Sequence, residues 1–371
     1  MSAAAVAVPA ARRRASFAEG TRFEQLDAYT YRIHLHADFC IGAVPNGGYA
    51  ASCMLAAANA HMRRLSSPGQ PDTLTAHFEY VHKTAPGPAT VVIDEVKRGR
   101  QLSMLHLTLW QGSGEDHVLD RAPWFVASSS RRKVLAYTTH VDLAAFTGVS
   151  FPTGYAETAA AAMPAVPDFD RVRAVGTDGV WRRTRVSASS PIGRGSPENW
   201  LLLVPCHGAL TPGVCDVWIS ATAGQTITQA ALPYVVDTLP FEFLDLVAAP
   251  GYFSPEDADE QARRRRARGG LWLPTVMLNL EVKKLLPSRG VEWLNMRATA
   301  RQIRNGRMDI EVMVRDLAGE LVALNSQVAM MMSMQRNTGR GSGRGSGRGS
   351  GDGSDDGSGG GKKTMQQKAV L

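Results

Sequence analysis

The sequence predicts an α+β protein made of two similar units in tandem, each a long buried helix wrapped by an antiparallel β-sheet. Three observations predict this arrangement. Each half contains a long stretch rich in small or apolar residues, and each stretch is followed by segments in which apolar and polar residues alternate. The two halves also align, because Phe78 falls on Leu278 at an offset of 200 residues and Leu105 falls on Asp309 at an offset of 204.

In the first unit, a short strand over Thr30–Leu35 precedes a helix within Pro45–Leu65, whose small and apolar residues suit burial on all sides. Asn46 is a candidate N-cap for this helix, because an Asn side chain accepts hydrogen bonds from the free N–H groups of a first turn. Four strands are predicted after the helix. They lie in "TLTAHFEYVHK", "ATVVIDEVKR", "QLSMLHLTLW" and "HVLDRAPWFVASS".

The second unit repeats this plan. A strand in "GVCDVWIS" precedes a helical stretch in "GQTITQAALPYVVDTL", which we expect to bend or begin at Pro233 and to end before Pro240. The charged segment "QARRRRARGG" is predicted to be a solvated loop before a strand. Four strands then follow in "LPTVMLNLEVKK", "VEWLNMRATARQIR", "GRMDIEVMVRD" and "ELVALNSQVAMMM".

Composition divides the chain into five regions. Residues 1–22 form an Ala- and Arg-rich leader, which we expect to be disordered, with an organelle transit peptide as the alternative. Residues 23–130 and 196–335 are the two units, and the Ala/Pro/Arg-rich connection between them, 131–195, gives no clear pattern. The Gly/Ser/Arg-rich tail, 336–371, cannot bury a core and is predicted to be disordered.

The distribution of charge argues against a nucleic-acid partner. The formal net charge is +7, but the tail from residue 336 contributes +4 of it, with seven Lys or Arg against three Asp. The other residues therefore carry only +3, and they show no stripe of basic residues. The Arg-Gly repeat of the tail lacks the aromatic residues that stack on bases, so no nucleic acid is expected.

The cysteines give no indication of a metal site or a redox site. None forms a C-x-x-C pair or lies near paired histidines at zinc spacing, so we expect no cofactor and interpret the cysteines as reduced thiols of a cytoplasmic protein. Mitochondria are the alternative compartment. No run approaches the roughly 20 apolar residues of a membrane-spanning helix. The four cysteines are Cys40, Cys53, Cys206 and Cys215.

One acidic residue stands out within the second helical stretch. Asp237 lies in "ALPYVVDTLPF", where its neighbours are mostly apolar residues and prolines. An ionised carboxylate is rarely left among apolar groups without a partner, because removing a charge from water is costly. The sequence therefore predicts that polar groups from other elements meet Asp237, and that this residue is a candidate for function.

These features together resemble the thioesterase-like superfamily, in particular the double hotdog proteins of the acyl-CoA thioesterase II type. The resemblance covers most of residues 25–335 outside the connection, and it rests on an ordered series of stretches rather than on one motif. It implies a double hotdog fold, an acyl-CoA substrate and hydrolysis of the thioester to a free acid and CoA, and it allows a homodimer. The matching stretches are "GAVPNGGYAASCM", "TLTAHFEYVHKTAPGPATVVIDEVKRGRQLSMLHLTLWQ", "LPTVMLNLEVKK" and "RMDIEVMVRDLAGELVALNSQVAMM".

The resemblance also implies a catalytic set of three residues. The family has an Asp on the helix of the second unit, a Thr or Ser at the start of the next strand and a Gln on the last strand. Carried over by position, these are Asp237, Thr275 and Gln327, which hold the water that attacks the thioester without a covalent intermediate. The residue types suit this chemistry, because a carboxylate takes the proton of the water while a hydroxyl and an amide fix its orientation.

A substrate-binding role is expected for "NGGY", which opens the helix of the first unit. Backbone N–H groups at a helix N-terminus stabilise an oxyanion, and residues without side chains let an acyl carbonyl approach closely. Asn46, Gly47 and Gly48 are therefore candidate substrate-binding residues. Tight packing of the two glycines is the alternative interpretation.

The repeat offers an internal comparison for the catalytic set. The first unit has no acidic residue between Phe39 and Gln70, and Pro123 stands where the offset of 204 places the counterpart of Gln327. Of the three residues, only Thr275 has a counterpart, Thr75. The sequence therefore predicts one active site for each chain, lined by both units.

Other functions remain open at this stage. The chain has no G-x-S-x-G motif, which disfavours a Ser-His-Asp hydrolase. A hotdog hydratase or dehydratase needs an Asp/His pair, and neither helical stretch offers one at a spacing of four or five residues. A non-catalytic acyl-thioester-binding protein and a thioesterase that acts on carrier-protein-bound polyketide or acyl chains are further alternatives. The sequence does not define the acyl group.

Overall fold

The structure, a computed structural model, describes residues 13–65, 69–112, 119–184, 194–253 and 257–337. Within them, fourteen strands join into one sheet in which all neighbours are antiparallel, and two pairs of short strands lie outside it. The strands are β1 (Phe23–Gln25), β2 (Thr30–Leu35), β3 (Cys40–Ile41), β4 (Val44–Pro45), β5 (Asp72–Tyr80), β6 (Gly87–Lys97), β7 (Ser103–Gly112), β8 (Ser130–Val141), β9 (Trp181–Arg183), β10 (Trp200–Pro205), β11 (Val214–Ala221), β12 (Leu271–Trp272), β13 (Thr275–Val282), β14 (Trp293–Thr299), β15 (Ile303–Arg304), β16 (Arg307–Arg315), β17 (Leu321–Met330) and β18 (Met332–Ser333).

The main sheet is continuous across the two units because one strand of each unit pairs with one strand of the other. Thirteen of its strands follow the order β1-β2-β6-β7-β8-β5-β13-β17-β16-β14-β11-β10-β9, so β5 of the first unit meets β13 of the second. The fourteenth strand, β15, pairs with β16 beside this path. Phe78 pairs directly with Leu278, and His77 pairs with Asn279. The pairing joins the two strands that the offset of 200 residues aligns, and it covers an edge of each unit with the other.

Six α-helices accompany the sheet in the described part of the chain. The predicted helix of the first unit is α2, and its side chains are buried on several faces, with Tyr49, Met54 and Met62 among the most enclosed residues. The sheet of the first unit wraps around this helix, as the double hotdog fold requires. The helices are α1 (Phe17–Gly20), α2 (Gly47–Leu65), α3 (Phe169–Val175), α4 (Leu232–Val236), α5 (Phe243–Val247) and α6 (Ala258–Gly269).

The helix of the second unit is much shorter than predicted. The predicted stretch contains one 3₁₀ turn, Gln229–Ala231, and the five-residue helix α4, so the expectation of a long buried helix is wrong for this unit. Pro233 is tolerated in the first turn of α4, where a backbone N–H has no helical partner. Pro240 disfavours helical backbone in the residue before it, so the helix cannot continue past this point.

The last strand of the first unit lies later in the chain than predicted. Residues 119–129 of the predicted strand "HVLDRAPWFVASS" form turns and bends, and the strand that pairs with both β7 and β5 is β8. A central strand must donate its backbone N–H groups, and Pro123 has none to donate. The first unit therefore extends beyond residue 130, into the predicted connection.

The two ends of the described chain differ from the expectation of disorder. Residues 13–22 contain α1 and bond to both units, so the prediction of a disordered leader is wrong for them. Asn337, which we placed in the tail, is buried and bonds through its side chain to the backbone of Ala43 and Ile41. The leader residues 1–12 and the tail residues 338–371 lie outside the described residues.

The sheet of the second unit carries a core on each face, because side chains alternate between the two faces of a strand. Val217 and Ile219 of β11 lie in the main core with the helices, whereas Trp218 between them lies in a smaller core. Val172 and Trp181, both from the connection, complete this smaller core. The helix α3 and the strand β9 of the connection therefore contribute to a second core on the outer face of the second unit.

Candidate active site

Asp237 lies directly after the last residue of α4, where it faces the first turn of α2. Its Oδ2 accepts a hydrogen bond of 2.8 Å from the backbone N–H of Gly48, and its Oδ1 accepts one of 2.8 Å from the hydroxyl of Thr275. The structure thus brings a helix end from each unit and the first residue of β13 to one carboxylate. The predicted partners of Asp237 exist, and one of them is a backbone group.

The two glycines of "NGGY" let the helices come this close. A Cβ on Gly48 would clash with the carbonyl oxygen of Pro233 and lie 2.6 Å from Cβ of Asp237. A Cβ on Gly47 would lie 3.2 Å from Oδ2 of Asp237 and from the ring of Tyr80. Tight packing therefore accounts for both glycines, and it places the positive end of the α2 dipole beside the carboxylate.

Gln327 reaches the same place from the last long strand of the sheet, β17. Its Nε2 donates to the carbonyl oxygen of Val236 at 3.2 Å, and its Oε1 lies 3.4 Å from Oγ1 of Thr275. The Thr hydroxyl has one proton, and the shorter contact to Asp237 takes it. The Oε1 atom of Gln327 therefore keeps acceptor capacity next to the carboxylate.

The surroundings of Asp237 change its titration. Enclosure away from bulk water raises the pKa of the carboxyl group to about 6, and the hydrogen bonds from Gly48 and Thr275 limit that rise. The carboxyl group is therefore mostly ionised at neutral pH, and its pKa is close enough to 7 for it to take up a proton during a reaction. A general base that works near pH 7 needs a pKa in this range.

Asn46 and Tyr80 support the first turn of α2. Asn46 is its N-cap, as predicted, because its Oδ1 accepts the N–H of Tyr49 at 2.9 Å, while its Nδ2 donates to the carbonyl oxygen of Asp237 at 3.3 Å. The hydroxyl of Tyr80 donates to the carbonyl oxygen of Gly47 at 2.8 Å. Sequence reasoning missed Tyr80, because the alternation of apolar and polar residues along β5 predicts only that this residue is half-buried in a strand.

A cavity of about 430 Å³ opens at this cluster and is lined by both units. Its wall includes Asp237, Thr275 and Gln327, and most of the remaining wall is apolar. Exposed lining residues mark the rim, and buried lining residues mark the interior. The rim includes His82, Lys83 and Val276, and the interior includes Trp200, Leu202, Phe243, Ile310 and Ala329.

The described part of the chain contains no group of three or more His, Cys, Asp or Glu that could hold a metal ion. No helix among the described residues is long and apolar enough to cross a membrane.

The buried thiols of Cys40 and Cys53 are not reactive. Burial raises the pKa of Cys40 and that of Cys53 to about 12, so both thiols stay protonated.

The described residues of the first unit hold no second copy of the cluster of Asp237, Thr275 and Gln327, although their register differs from the predicted one. Gln327 pairs with Leu278, and Phe78, the counterpart of Leu278, pairs with Ala136 of β8. Ala136 rather than Pro123 is therefore the counterpart of Gln327, and the prediction for Pro123 is wrong. The constant offset fails because the connection between β7 and β8 is longer than that between β16 and β17.

The fold and the polar cluster define a double hotdog protein with a carboxylate at the head of an apolar cavity. Comparison with known proteins leads to the same class. The model of the acyl-CoA thioesterase N-terminal domain matches residues 35–130, and that of the C-terminal domain matches residues 162–331. The thioesterase-like protein TwmA of Talaromyces wortmannii is 49% identical over 334 residues, which are 87% of this chain and 94% of that protein.

The chain belongs to the acyl-CoA thioesterase family of the thioesterase-like superfamily. Solved structures confirm the fold. A hotdog-fold protein from Alicyclobacillus acidocaldarius is 16% identical, with a TM-score of 0.59 over 86% of this chain and 99% of that chain. The acyl-CoA thioesterase II TesB2 from Mycobacterium marinum is 17% identical, with a TM-score of 0.55 over 86% of this chain and 98% of that chain.

Proposed function

We propose that this protein hydrolyses an acyl-CoA thioester to a free acid and CoA, by direct attack of a water molecule and without a covalent intermediate. One observation carries the proposal. A carboxylate with a pKa of about 6, the hydroxyl that bonds to it and an amide oxygen with spare acceptor capacity line the same apolar cavity. Family membership makes thioester hydrolysis the chemistry that this arrangement serves.

In the proposed reaction, the water donates one hydrogen bond to Asp237 and the other to Oε1 of Gln327, which turns a lone pair toward the thioester carbonyl. Attack forms the new C–O bond while Asp237 takes a proton from the water. The tetrahedral intermediate then collapses, the C–S bond breaks, and the proton passes from Asp237 to the leaving thiolate. Asp237 is ionised again, and the products are an acid and a thiol.

The hydrogen bond of Gly48 supports a role other than the substrate binding that the sequence predicts. Because its N–H donates to Oδ2 of Asp237, we assign Gly48 to holding the base rather than to binding the oxyanion. The positive end of α2 lies beside the site and favours negative charge there. Substrate binding by Asn46 and Gly47 stays a prediction.

The cavity supports an acyl chain as the bound group. Its interior is apolar, so an alkyl or aromatic acyl group loses contact with water there, and its rim carries the exposed side chains of Lys83 and His82. A cation at the rim favours the phosphate groups of CoA. The same rim could meet the phosphopantetheine of a carrier protein, and the experiment below separates these two substrates.

The test is thiol release from acyl-CoAs of increasing chain length, measured with a colorimetric reagent for the wild type, Asp237→Asn and Asp94→Asn. Asp94 is an exposed carboxylate on β6 and serves as the matched control. We expect Asp237→Asn to stay folded by circular dichroism and to lose at least about a hundredfold in kcat, because a base of this kind contributes about 10²–10⁴-fold.

Equal turnover in Asp237→Asn and the wild type would return this carboxylate to a structural role. Turnover with acyl carrier proteins but not with any acyl-CoA would support thioester hydrolysis and show that the substrate is carried by a protein instead of CoA. Absence of turnover on both would leave the alternative of a non-catalytic binding protein. Hydration of an enoyl-CoA without thiol release would identify a hydratase instead.

A further inference from the structure

The segment before the first strand, Arg13–Gly20, is an ordered element that the proposed mechanism does not use. We refer to it as the N-terminal strap. It contains α1, whose turn is fixed by a capping box: Ser16 Oγ accepts the N–H of Glu19 at 3.2 Å, and Glu19 Oε2 accepts the N–H of Ser16 at 2.8 Å. The segment is therefore a shaped element with its own local stabilisation.

Arg14 of the strap bonds to both units. Its Nη2 donates to the carbonyl oxygen of Asp38 at 2.8 Å in the first unit. It also donates to the carbonyl oxygen of Gly195, the last residue of the connection, at 2.7 Å. In the second unit, Nη2 donates to Oδ1 of Asn199 at 2.8 Å, and Nη1 pairs with Glu198. The guanidinium is planar, and the two N–H groups of its Nη2 are shared among these three oxygens, which fixes them in one geometry.

Phe17 of the strap contacts the helix that precedes Asp237. Its ring stacks on that of Tyr234 in α4, with centroids 6.0 Å apart and planes 11° apart. The Phe17 N–H donates to Oε1 of Gln225 at 2.7 Å, which fixes the backbone of the strap to the second unit. Stacked aromatic pairs contribute stability beyond the area they bury.

Arg14 reaches the same Tyr234 through an intermediate side chain. Asn199 accepts from Arg14 with Oδ1 and donates from Nδ2 to the hydroxyl of Tyr234 at 3.0 Å. That hydroxyl also lies 2.7 Å from Oγ of Ser196. Both side chains of the strap therefore converge on one residue of α4, one by stacking on its ring and the other through its hydroxyl.

The helix α4 needs such contacts to hold its position. It has five residues and no side-chain cap at its N-terminus, and helices this short have little stability of their own. Tyr234 lies one turn before Asp237, whose two hydrogen bonds depend on where this helix ends. A displacement of α4 therefore moves the carboxylate away from Gly48 and Thr275.

We propose that the N-terminal strap is a positioning element for catalysis, in which Arg14 and Phe17 hold Tyr234 and thereby Asp237. The inference rests on the proposed function, since it assigns the strap to the same site. It identifies Arg14, Phe17 and Tyr234 as positioning residues, which do not touch the reacting atoms. A misplacement of ~1 Å can cost ~10²-fold in rate, so small movements of α4 matter.

The test uses the full chain with Phe17→Ala, Phe17→Leu and Arg14→Lys. Arg13→Ala is the matched control, because Arg13 belongs to the strap and, among the described residues, forms an exposed ion pair with Glu19 alone. We expect kcat to fall about tenfold or more in Phe17→Ala with KM within about twofold of the wild type. We expect Phe17→Leu to recover most of kcat, Arg14→Lys to lower it severalfold, and the control to match the wild type.

A folded Phe17→Ala with a lower melting temperature but the kcat of the wild type would show a merely structural role and overturn the proposal. If Phe17→Ala does not fold by circular dichroism, the same comparison of kcat and melting temperature is made with Arg14→Lys, which keeps the positive charge. A folded Arg14→Lys with the kcat of the wild type would then overturn the proposal. Hydrogen exchange of the amides of residues 235–238 separates this proposal from the proposed function. If the wild type hydrolyses no thioester, faster exchange in both variants still supports the strap, and unchanged exchange overturns it.

Discussion

At the scale of single residues, the fold stabilises the neutral form of its central carboxylate. The pKa of Asp237 rises to about 6 because enclosure penalises the ionised form more than the hydrogen bonds from Gly48 and Thr275 stabilise it. A group whose folded pKa exceeds its unfolded value stabilises the fold below the unfolded pKa, near 3.8. That contribution is lost as the pH rises through the folded pKa.

This linkage predicts how stability changes with pH. Between about pH 4 and pH 8, the wild type should lose about 2 kcal/mol of unfolding free energy relative to Asp237→Asn. The whole shift of about two pKa units corresponds to slightly more than this, and part of that energy is already lost at pH 4, just above the unfolded pKa. Urea unfolding of both proteins at the two pH values measures the difference, and titration of all other groups cancels in the comparison. A constant difference across this range would show that the pKa of Asp237 is close to its ordinary value.

The predictability of the site also differs from residue to residue. Asp237 is visible in the sequence because a carboxylate among apolar residues is a local anomaly. Thr275 and Gln327 follow the ordinary alternation of strands, so only the family resemblance singles them out. The structure brings all three together, whereas the role of the Gly48 N–H depends on how two helix ends meet, which local sequence cannot show.

At the scale of elements, the site depends on the contact between the first turn of α2 and the body of α4. The Cα of Gly48 lies against the backbone of Pro233, and no larger residue fits between the two helices. The carboxylate that follows α4 then reaches the N–H groups at the start of α2. Close approach of the helices and binding of the base are therefore the same structural feature.

This contact predicts the effect of Gly48→Ala. The added methyl group must push the two helices apart, and overpacking of this kind costs about 1–3 kcal/mol of stability. Because the bond from Gly48 to Asp237 lengthens at the same time, kcat should fall as well. Gly269→Ala is the control, since that glycine lies in α6 with open space around it. Thermal unfolding and thiol release measure both effects, and an active Gly48→Ala as stable as the wild type would contradict them.

Sequence reasoning missed two elements, α6 and β8, because one sequence feature in each case indicated a different structure. "QARRRRARGG" is read as a loop because of its charge, yet most of it lies in α6, which Asp257 caps by accepting the N–H groups of Asp259 and Glu260. Strands in which apolar and polar residues alternate lie close to their predicted positions, because this alternation is typical of a half-buried strand. These strands are β2, β6, β7, β13, β16 and β17. β8 was missed because the alignment to the second unit assumed equal connections.

At the scale of the whole molecule, the two units share one sheet. β5 and β13 pair along their length, and the side chains of His77 and Asn279 bond across the junction at 2.6 Å. The cavity takes lining residues from both units, and the two helix ends that form the site come from different units. Neither unit alone can therefore present the carboxylate to its backbone partner.

This arrangement predicts that the described chain unfolds as one cooperative unit, with Leu278 at its centre. Leu278 is fully buried and pairs with Phe78 at the junction, so Leu278→Ala should cost about 2–5 kcal/mol while leaving a single transition. Far-ultraviolet circular dichroism and tryptophan fluorescence in urea should give coincident midpoints in both proteins. Val96→Ala, at an exposed position on β6, should change stability by less than about 0.5 kcal/mol. Two separated transitions would mean that the shared sheet does not couple the units, and the active site would then depend on a junction that opens independently.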